Sequence, residues 1–239
     1  MKWRNRRNVL INNMFRNFII LIFCSLSFYS FSQKPLKELL PQKGKTINSF
    51  IPQGWLKLHS AIGDFNKDGI KDIAIVLIDS VYEKITEDGN RSLVILEGSK
   101  NGYFLSGYCD SAYLCFGCGG VHGDPFESLS FTNDKLVLKH IVGTSYRSEL
   151  TTRFRYQDGD WVLTGETVKG CFLNARCDKL KKFGGLSLYD KNYLTGEHIR
   201  KEADEVKCEL TKNDKVKVAR KPLVKLTDYN ITAIWNITR

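Results

Sequence analysis

The sequence predicts a mainly β fold built from antiparallel, blade-like or sandwich-like sheets, and three observations support this prediction. Short apolar runs alternate with turn signals along most of the chain, whereas helical periodicity is scarce. Turn-forming clusters occur at the short spacing that is typical of hairpins, at 87–90, 98–102, 132–134 and 157–160. The composition, 42% hydrophobic and 26% charged, is that of a folded globular protein.

The N-terminal segment, 1–32, has the composition of a secretory signal. Five basic residues and no acidic residue are followed by an apolar run over 18–28 and by small residues at positions 30 and 32, just before a cleavage point at Gln33. The run is shorter than the ~20 residues that cross a bilayer. We therefore expect an exported protein, periplasmic or secreted from a bacterial envelope, with no stable membrane span after cleavage.

Three alternatives remain for this segment. Met14 offers a second start for the same signal, and a buried N-terminal helix would place the apolar run inside the fold. Cys24 would suit a lipoprotein, but Phe23 stands where the lipidation motif has Gly or Ala. The Arg-rich flank favours the cleaved signal over the other two.

The net charge of +10 is unevenly distributed along the chain. The segment 1–32 carries +5, the segment 33–169 carries 16 Lys and Arg against 17 Asp and Glu, and the segment 170–239 carries 15 against 9. A nucleic-acid-binding domain would concentrate basic charge in its folded core, next to exposed aromatic residues. We therefore expect no nucleic-acid partner, and instead an unknown protein or an envelope polymer.

Residues 33–239 are expected to form a single β-rich domain, with a core over 33–169 and a Lys- and Cys-rich part over 170–239. The core begins with one or two helical turns at 35–40, and the continuous apolar runs at 73–78 and 93–96 predict buried strands. Further strands are predicted at 136–138, 151–156 and 161–163.

The strand at 151–156 alternates apolar and basic side chains, which places one face in the core and the other in water. It pairs with 161–163 across the turn at Asp158 and Gly159. In the C-terminal part, residues 170–185 are expected to be irregular, 198–210 suits either a helix or a strand, and 215–219 alternates as an edge strand does.

One motif carries the chemistry of a metal site. Residues 64–72 follow the pattern D-x-N-x-D-G-x-x-D, in which oxygen ligands alternate along a loop and Gly69 allows the sharp turn. Such a loop wraps a hard cation, and calcium is the expected cofactor, in a structural role. The expected ligands are Asp64, Asn66, Asp68, the carbonyl oxygen of Ile70, and Asp72. The loop is not an EF-hand, because Ile75 stands where an EF-hand has a bidentate Glu.

The segment 63–77, GDFNKDGIKDIAIVL, resembles the FG-GAP/VCBS repeats of integrin-type β-propellers, in which such a loop enters a hydrophobic strand directly. The resemblance implies calcium at the five ligands and an FG-GAP-like core over 33–169. A propeller needs at least ~4 blades, and only one such loop is present in the sequence. We therefore expect a single blade-like unit inside another β architecture. The alternative is a polar turn that binds no metal, since Asp, Asn and Gly are common turn residues.

The cysteines agree with export. Six remain after the signal, an even number that favours disulfides in an oxidising compartment. They are Cys109, Cys115, Cys118, Cys171, Cys177 and Cys208. Cys171 and Cys177 suit a local loop, although spacing alone cannot choose among the 15 pairings. Cys115 and Cys118 form a C-x-x-C, but the following Gly119 and Gly120 end any helix, which favours a structural disulfide over redox catalysis.

No catalytic motif is evident, so a non-enzymatic binding or structural protein is the expected function. His59 and His140 lie in strand-like runs and suit packing or surface roles, whereas His122 and Asp124 lie in a Gly-rich loop where a base could be oriented. An envelope hydrolase with its site near His122 and Asp124 is therefore one alternative. An immunity-type inhibitor of a secreted toxin is the other, because the chain is small, exported and rich in cysteine.

Overall fold

A computed structural model of the protein describes residues 35–80, 91–121, 123–172 and 185–233. The signal segment, the turn at 87–90, His122 and Cys177 lie outside the described residues. From Leu36 onward the chain forms one compact unit. The described part contains no helix that is both long and apolar enough to span a membrane.

The described elements are twelve strands and a few short helices. The strands of the first sheet are β1 (Lys43–Gly44), β2 (Trp55–Gly63), β3 (Asp72–Asp79), β4 (Arg91–Ser99) and β5 (Gly102–Cys109). Those of the second sheet are β6 (Phe126–Thr132), β7 (Lys135–Gly143), β8 (Tyr146–Gln157), β9 (Asp160–Phe172), β10 (Ser187–Asn192), β11 (Glu197–Asp204) and β12 (Glu209–Lys217). The short helices include one α-helical turn, α1 (Leu36–Leu39), and 3₁₀ turns at Ile47–Phe50, Phe116–Gly119 and Leu226–Asp228. The sheet orders are β1-β5-β4-β3-β2 and β12-β11-β10-β9-β8-β7-β6.

Both sheets are antiparallel throughout, so the prediction of a mainly β fold with antiparallel sheets is confirmed. The two sheets share one hydrophobic core, to which β3 and β4 contribute on one side and β7, β8 and β9 on the other. This shared core gives the protein a sandwich-like form. Trp161 in β9 donates a hydrogen bond from Nε1 to Ser106 Oγ in β5, at 3.0 Å, and so joins the two sheets.

The continuous apolar runs are explained by burial on both faces of the first sheet. Every residue of β3 is buried. Ala74 and Val76 face the core shared with the second sheet. The opposite face of β3 packs against the residues that precede β2, which include Leu36 and Phe50. A strand that is covered on both sides has no polar face and therefore loses the usual alternation.

The second sheet shows the alternation expected of a strand with one buried face. In β7 and β8 buried positions occur at every second residue over most of their length. β8 and β9 pair across the turn at Asp158 and Gly159, with Tyr156 opposite Trp161, which confirms the predicted hairpin.

The C-terminal part differs from the expectations in one place and resolves a segment for which helix and strand were both open. β9 continues to Phe172, so 170–172 are regular strand, and residues 173–184 lie outside the described part. The undecided segment at 198–210 forms β11, a turn, and the start of β12. The edge strand predicted at 215–219 is β12, which has exposed lysines but begins earlier, at Glu209, and ends at Lys217.

Candidate functional site

The predicted calcium loop connects β2 to β3, and its side chains are turned toward its own backbone. Asp64 accepts the main-chain N–H groups of Asp68 at 3.2 Å and Gly69 at 3.0 Å. Asn66 Oδ1 accepts Asp68 N–H at 3.1 Å, and Asp68 Oδ1 accepts Ile70 N–H at 2.7 Å. Gly69 has φ = +83°, which confirms the need for glycine at this turn. The loop is therefore a closed turn with oxygen atoms on its inner side.

A second strand contributes an acid that the sequence motif does not include. The amide Nδ2 of Asn66 donates to Asp68 Oδ2 and to Glu97 Oε1, each at 3.1 Å. Glu97 lies in β4, next to the predicted strand end at Leu96. The amide thus stands between two carboxylates as their shared hydrogen-bond donor. The sequence alone could have placed Glu97 beside Asn66 only if β4 had been paired with β3 in the correct register.

Asp72 anchors the loop to the sheet. Its side chain is buried and accepts Phe65 N–H and Gly98 N–H, both at 2.8 Å. Burial raises the pKa of Asp72, the two main-chain hydrogen bonds oppose this, and the charges of Asp68 and Asp64 raise the pKa further. Each carboxylate oxygen has a second lone pair, so these bonds do not exhaust the acceptor capacity of Asp72.

Gly98 lets β4 approach the loop closely enough for this anchor. A Cβ atom at Gly98 would lie 2.2 Å from the carbonyl oxygen of Lys71. That oxygen belongs to the backbone, so it cannot move away as a flexible side chain would. A larger residue at position 98 would therefore separate β4 from the end of the loop.

The oxygen donors of the loop are of the chemical kinds that calcium prefers, but the described side chains do not come together as a metal-binding group. Carboxylate, amide and main-chain oxygens are the ligands that calcium prefers. In the described part of the chain, however, no group of three or more His, Cys, Asp or Glu side chains is placed to hold a metal ion. The carboxylates are instead satisfied by N–H donors of the loop itself and of Gly98.

A second polar cluster lies at the start of β4 and in the loop before β6. Arg91 is almost fully buried and forms a bidentate ion pair with Asp124, with Nη1 to Oδ1 at 2.6 Å and Nη2 to Oδ2 at 2.7 Å. Asp124 also accepts Phe126 N–H at 2.9 Å. Burial alone would raise the pKa of Asp124, but the hydrogen bonds from Arg91 and Phe126 outweigh it and hold this pKa below its ordinary value. Asp124 is therefore a fixed carboxylate, and Arg91 is the residue of this cluster that sequence reasoning missed.

The carboxylate of Asp124 borders a pocket of about 400 Å³ between β2 and β6. His59 lines the same pocket and stacks on Phe126, with ring centroids 3.8 Å apart. Burial and the charge of Arg91 lower the pKa of His59, although Asp124 acts in the opposite direction. The pocket therefore holds an aromatic surface, a carboxylate and an imidazole that is neutral at pH 7.

Several buried polar atoms around Arg91 have no hydrogen-bond partner among the described residues: Arg91 Nε, Tyr113 Oη, and both ring nitrogens of His140. The rings of Tyr113 and His140 lie 5.3 Å apart. Burial and the charge of Arg91 lower the pKa of His140 to about 4, with Asp124 opposing them. His140 is a buried, neutral residue, in agreement with the packing role predicted for it.

The cysteines follow the prediction only in part. Cys115 and Cys118 form a disulfide, and Cys208 is disulfide-bonded as well. Cys109 and Cys171 carry free thiols in the described structure, which differs from the expectation that all six are paired. Cys109 is buried and donates from Sγ to the carbonyl oxygen of Tyr229 at 3.3 Å, so a hydrogen bond takes the place of the expected disulfide.

Comparison of the chain with protein-family models, with curated proteins and with solved structures returns no match. The function is therefore inferred from the residues alone.

Proposed function

We propose that this protein is an exported, calcium-stabilised β-rich binding or structural protein, with the loop between β2 and β3 as its calcium site. The observation that supports this proposal is the closed loop at 64–72. Its side-chain oxygens at positions 64, 66 and 68 are on the inner side of the turn, where they accept main-chain N–H groups. Export rests on the N-terminal sequence, and the resemblance to FG-GAP/VCBS repeats is consistent with the loop's position between two strands.

Calcium would be held by Asp64, Asn66, Asp68, the carbonyl of Ile70, and Asp72, and it would supply positive charge to a cluster of carboxylates. Glu97 adds a further negative charge beside Asn66. Like charges in close proximity repel, and a divalent cation relieves that repulsion. Because Glu97 and Gly98 belong to β4, cation binding would stabilise the contact between the β2–β3 loop and β4. We propose a structural role for the cation, because the expected ligands and Glu97 join the β2–β3 connection to β4.

The proposal is tested by thermal unfolding of the mature chain, which begins at Gln33, in excess calcium and in excess chelator. A ligand at 100 times its dissociation constant stabilises the folded state by about 2.7 kcal/mol. For a domain of this size that corresponds to a rise in melting temperature of about 5–11 °C. The substitution Asp68→Ala should abolish the calcium-dependent rise.

The matched control is Asp134→Ala, which removes a carboxylate from the turn between β6 and β7, far from the loop in sequence. It should keep the full calcium response. Equal melting temperatures of the wild-type protein in calcium and in chelator would refute the proposal.

A second candidate function, an envelope hydrolase, is favoured by the pocket between β2 and β6. His59 and Asp124 line the same opening, and the lowered pKa of His59 leaves its imidazole able to accept a proton at neutral pH. The assay is hydrolysis of a panel of chromogenic esters, phosphates and glycosides. Activity that is lost in His59→Gln and kept in the control variant His198→Gln would support this function. Absence of turnover across the panel would remove this candidate.

A further inference from the structure

We propose that the Cys115–Cys118 disulfide is a site of reversible thiol–disulfide exchange, with a dithiol reductant as its partner. Cys115 directly precedes the 3₁₀ turn Phe116–Gly119 and Cys118 lies within it, and this turn precedes the loop that carries Asp124. This proposal is independent of calcium binding. It rests on the small ring that the disulfide closes, on the exposure of one of the two cysteines, and on the cation beside the turn.

The disulfide contributes little to the constraint of the chain. Its cysteines are only three positions apart, and the entropy that a cross-link removes from the unfolded chain grows with the length of the closed loop. The turn is also held by main-chain hydrogen bonds that do not need the disulfide. Cys118 N–H donates to the Cys115 carbonyl at 3.1 Å, and Gly119 N–H donates to the Gly123 carbonyl at 2.9 Å. The bond can therefore open without loss of the local structure.

The two sulfur-bearing residues differ in accessibility. Cys118 is exposed, whereas Cys115 is half-buried. Exchange requires a thiolate to reach one sulfur of the disulfide from outside. Because Cys118 is the more exposed of the two residues, we assign its Sγ as the point of attack and the Cys115 sulfur as the leaving group. Cys109, by contrast, is enclosed in the core and offers no such access.

A permanent cation lies beside the turn. The guanidinium group of Arg91 stands over the ring of Phe116, with its Cζ atom 5.7 Å from the ring centroid. Phe116 is the residue directly after Cys115, so the Arg91 guanidinium lies against the turn that the disulfide closes. Positive charge near a cysteine stabilises its thiolate and promotes its departure from a disulfide. Asp124 holds the guanidinium in place and offsets part of its charge.

The exchange proceeds in two balanced steps. In the first, a thiolate of the reductant attacks Cys118 Sγ, a new S–S bond forms, the Cys115–Cys118 bond breaks, and Cys115 leaves as a thiolate. In the second step, the remaining thiolate of the reductant attacks the reductant sulfur that is bonded to Cys118. The intramolecular disulfide of the reductant forms, and Cys118 leaves as a thiolate. The reductant is oxidised to a disulfide, and the protein disulfide gains the two electrons.

The test uses the mature chain from Gln33 onward, incubated with increasing dithiothreitol, quenched with acid, alkylated and analysed by peptide mass spectrometry. Reduction of Cys115 and Cys118 should be complete while the circular dichroism spectrum stays unchanged, and oxidised dithiothreitol should restore the bond. The double variant Cys115→Ser/Cys118→Ser accounts for labelling at Cys109 and Cys171. A disulfide that resists dithiothreitol until the fold is lost would overturn the proposal.

Single variants test the direction of attack. Cys115→Ser leaves only Cys118, the exposed residue, and Cys118→Ser leaves only Cys115, the half-buried one. With oxidised glutathione, Cys115→Ser should form a mixed disulfide at least about ten times faster than Cys118→Ser. Equal rates, or a faster reaction of Cys118→Ser, would contradict the assignment of Cys118 as the attacked sulfur. Neither experiment depends on calcium. A negative result in either one would therefore not bear on the proposed calcium site.

Discussion

The ion pair between Arg91 and Asp124 should be a major source of stability, and Asp124→Ala tests this directly. Arg91 is only 1% exposed, and both of its Nη atoms donate to the Asp124 carboxylate. Removal of the carboxylate leaves a buried guanidinium without its counter-charge and also leaves Phe126 N–H without its acceptor. Loss of one partner of a buried pair costs about 3–5 kcal/mol. In a domain of this size we expect the melting temperature to fall by about 6–20 °C.

The assay is urea unfolding followed by circular dichroism, with Asp134→Ala as the control. Asp134 pairs with Arg155 at 3.8 Å, and both side chains are about one-third exposed, so its loss should cost about 0–1 kcal/mol. The pKa of Asp124 is held below the ordinary value of about 3.9, so the stabilisation is present above that pH and is lost as the pH falls through the folded-state pKa. The difference between wild type and Asp124→Ala should therefore narrow in acid. Equal stability of the two Asp variants at pH 7 would refute this account of Arg91.

Two further predictions concern the core. Between pH 6.5 and about 4 the unfolded chain binds a proton at His140 that the folded protein does not, so about 3 kcal/mol of stability should be lost over this range. His140→Leu should flatten that part of the pH profile of urea unfolding, and His198→Leu should not. Gly107→Ala would place a Cβ atom 2.8 Å from Cδ1 of the buried Trp161, and we expect it to cost about 1–3 kcal/mol in the same assay. A Gly107→Ala protein as stable as the wild type would show that the two sheets can separate to make room.

The fold class could be predicted because each local pattern agrees with its place in the sandwich. The alternation in 151–156 follows from one buried face of β8, and the uninterrupted run at 73–78 follows from burial on both faces of β3. The boundary between the two sheets could not be predicted. It depends on which apolar face meets which, and no residue pattern encodes the distant contact of Trp161 with Ser106.

The loop at 64–72 could be located from sequence because its chemistry is local. The spacing of Asp64, Asn66 and Asp68 follows directly from the turn that they form. The contribution of Glu97 and the pairing of Arg91 with Asp124 could not be found in this way. Arg91 and Asp124 are 33 positions apart, and only the packing of two sheets brings them together.

Direct calcium binding is the measurement that tests the proposed function most closely. Isothermal titration of the chelator-treated protein with calcium should show one site per chain in the wild type. Asp68→Asn keeps the size of the side chain but removes its charge, and it should weaken binding at least about ten-fold, a change of about 1.4 kcal/mol. Asp134→Ala should bind as the wild type does. A wild-type protein that takes up no calcium, in titration and in equilibrium dialysis alike, would contradict the assignment of this loop as a calcium site.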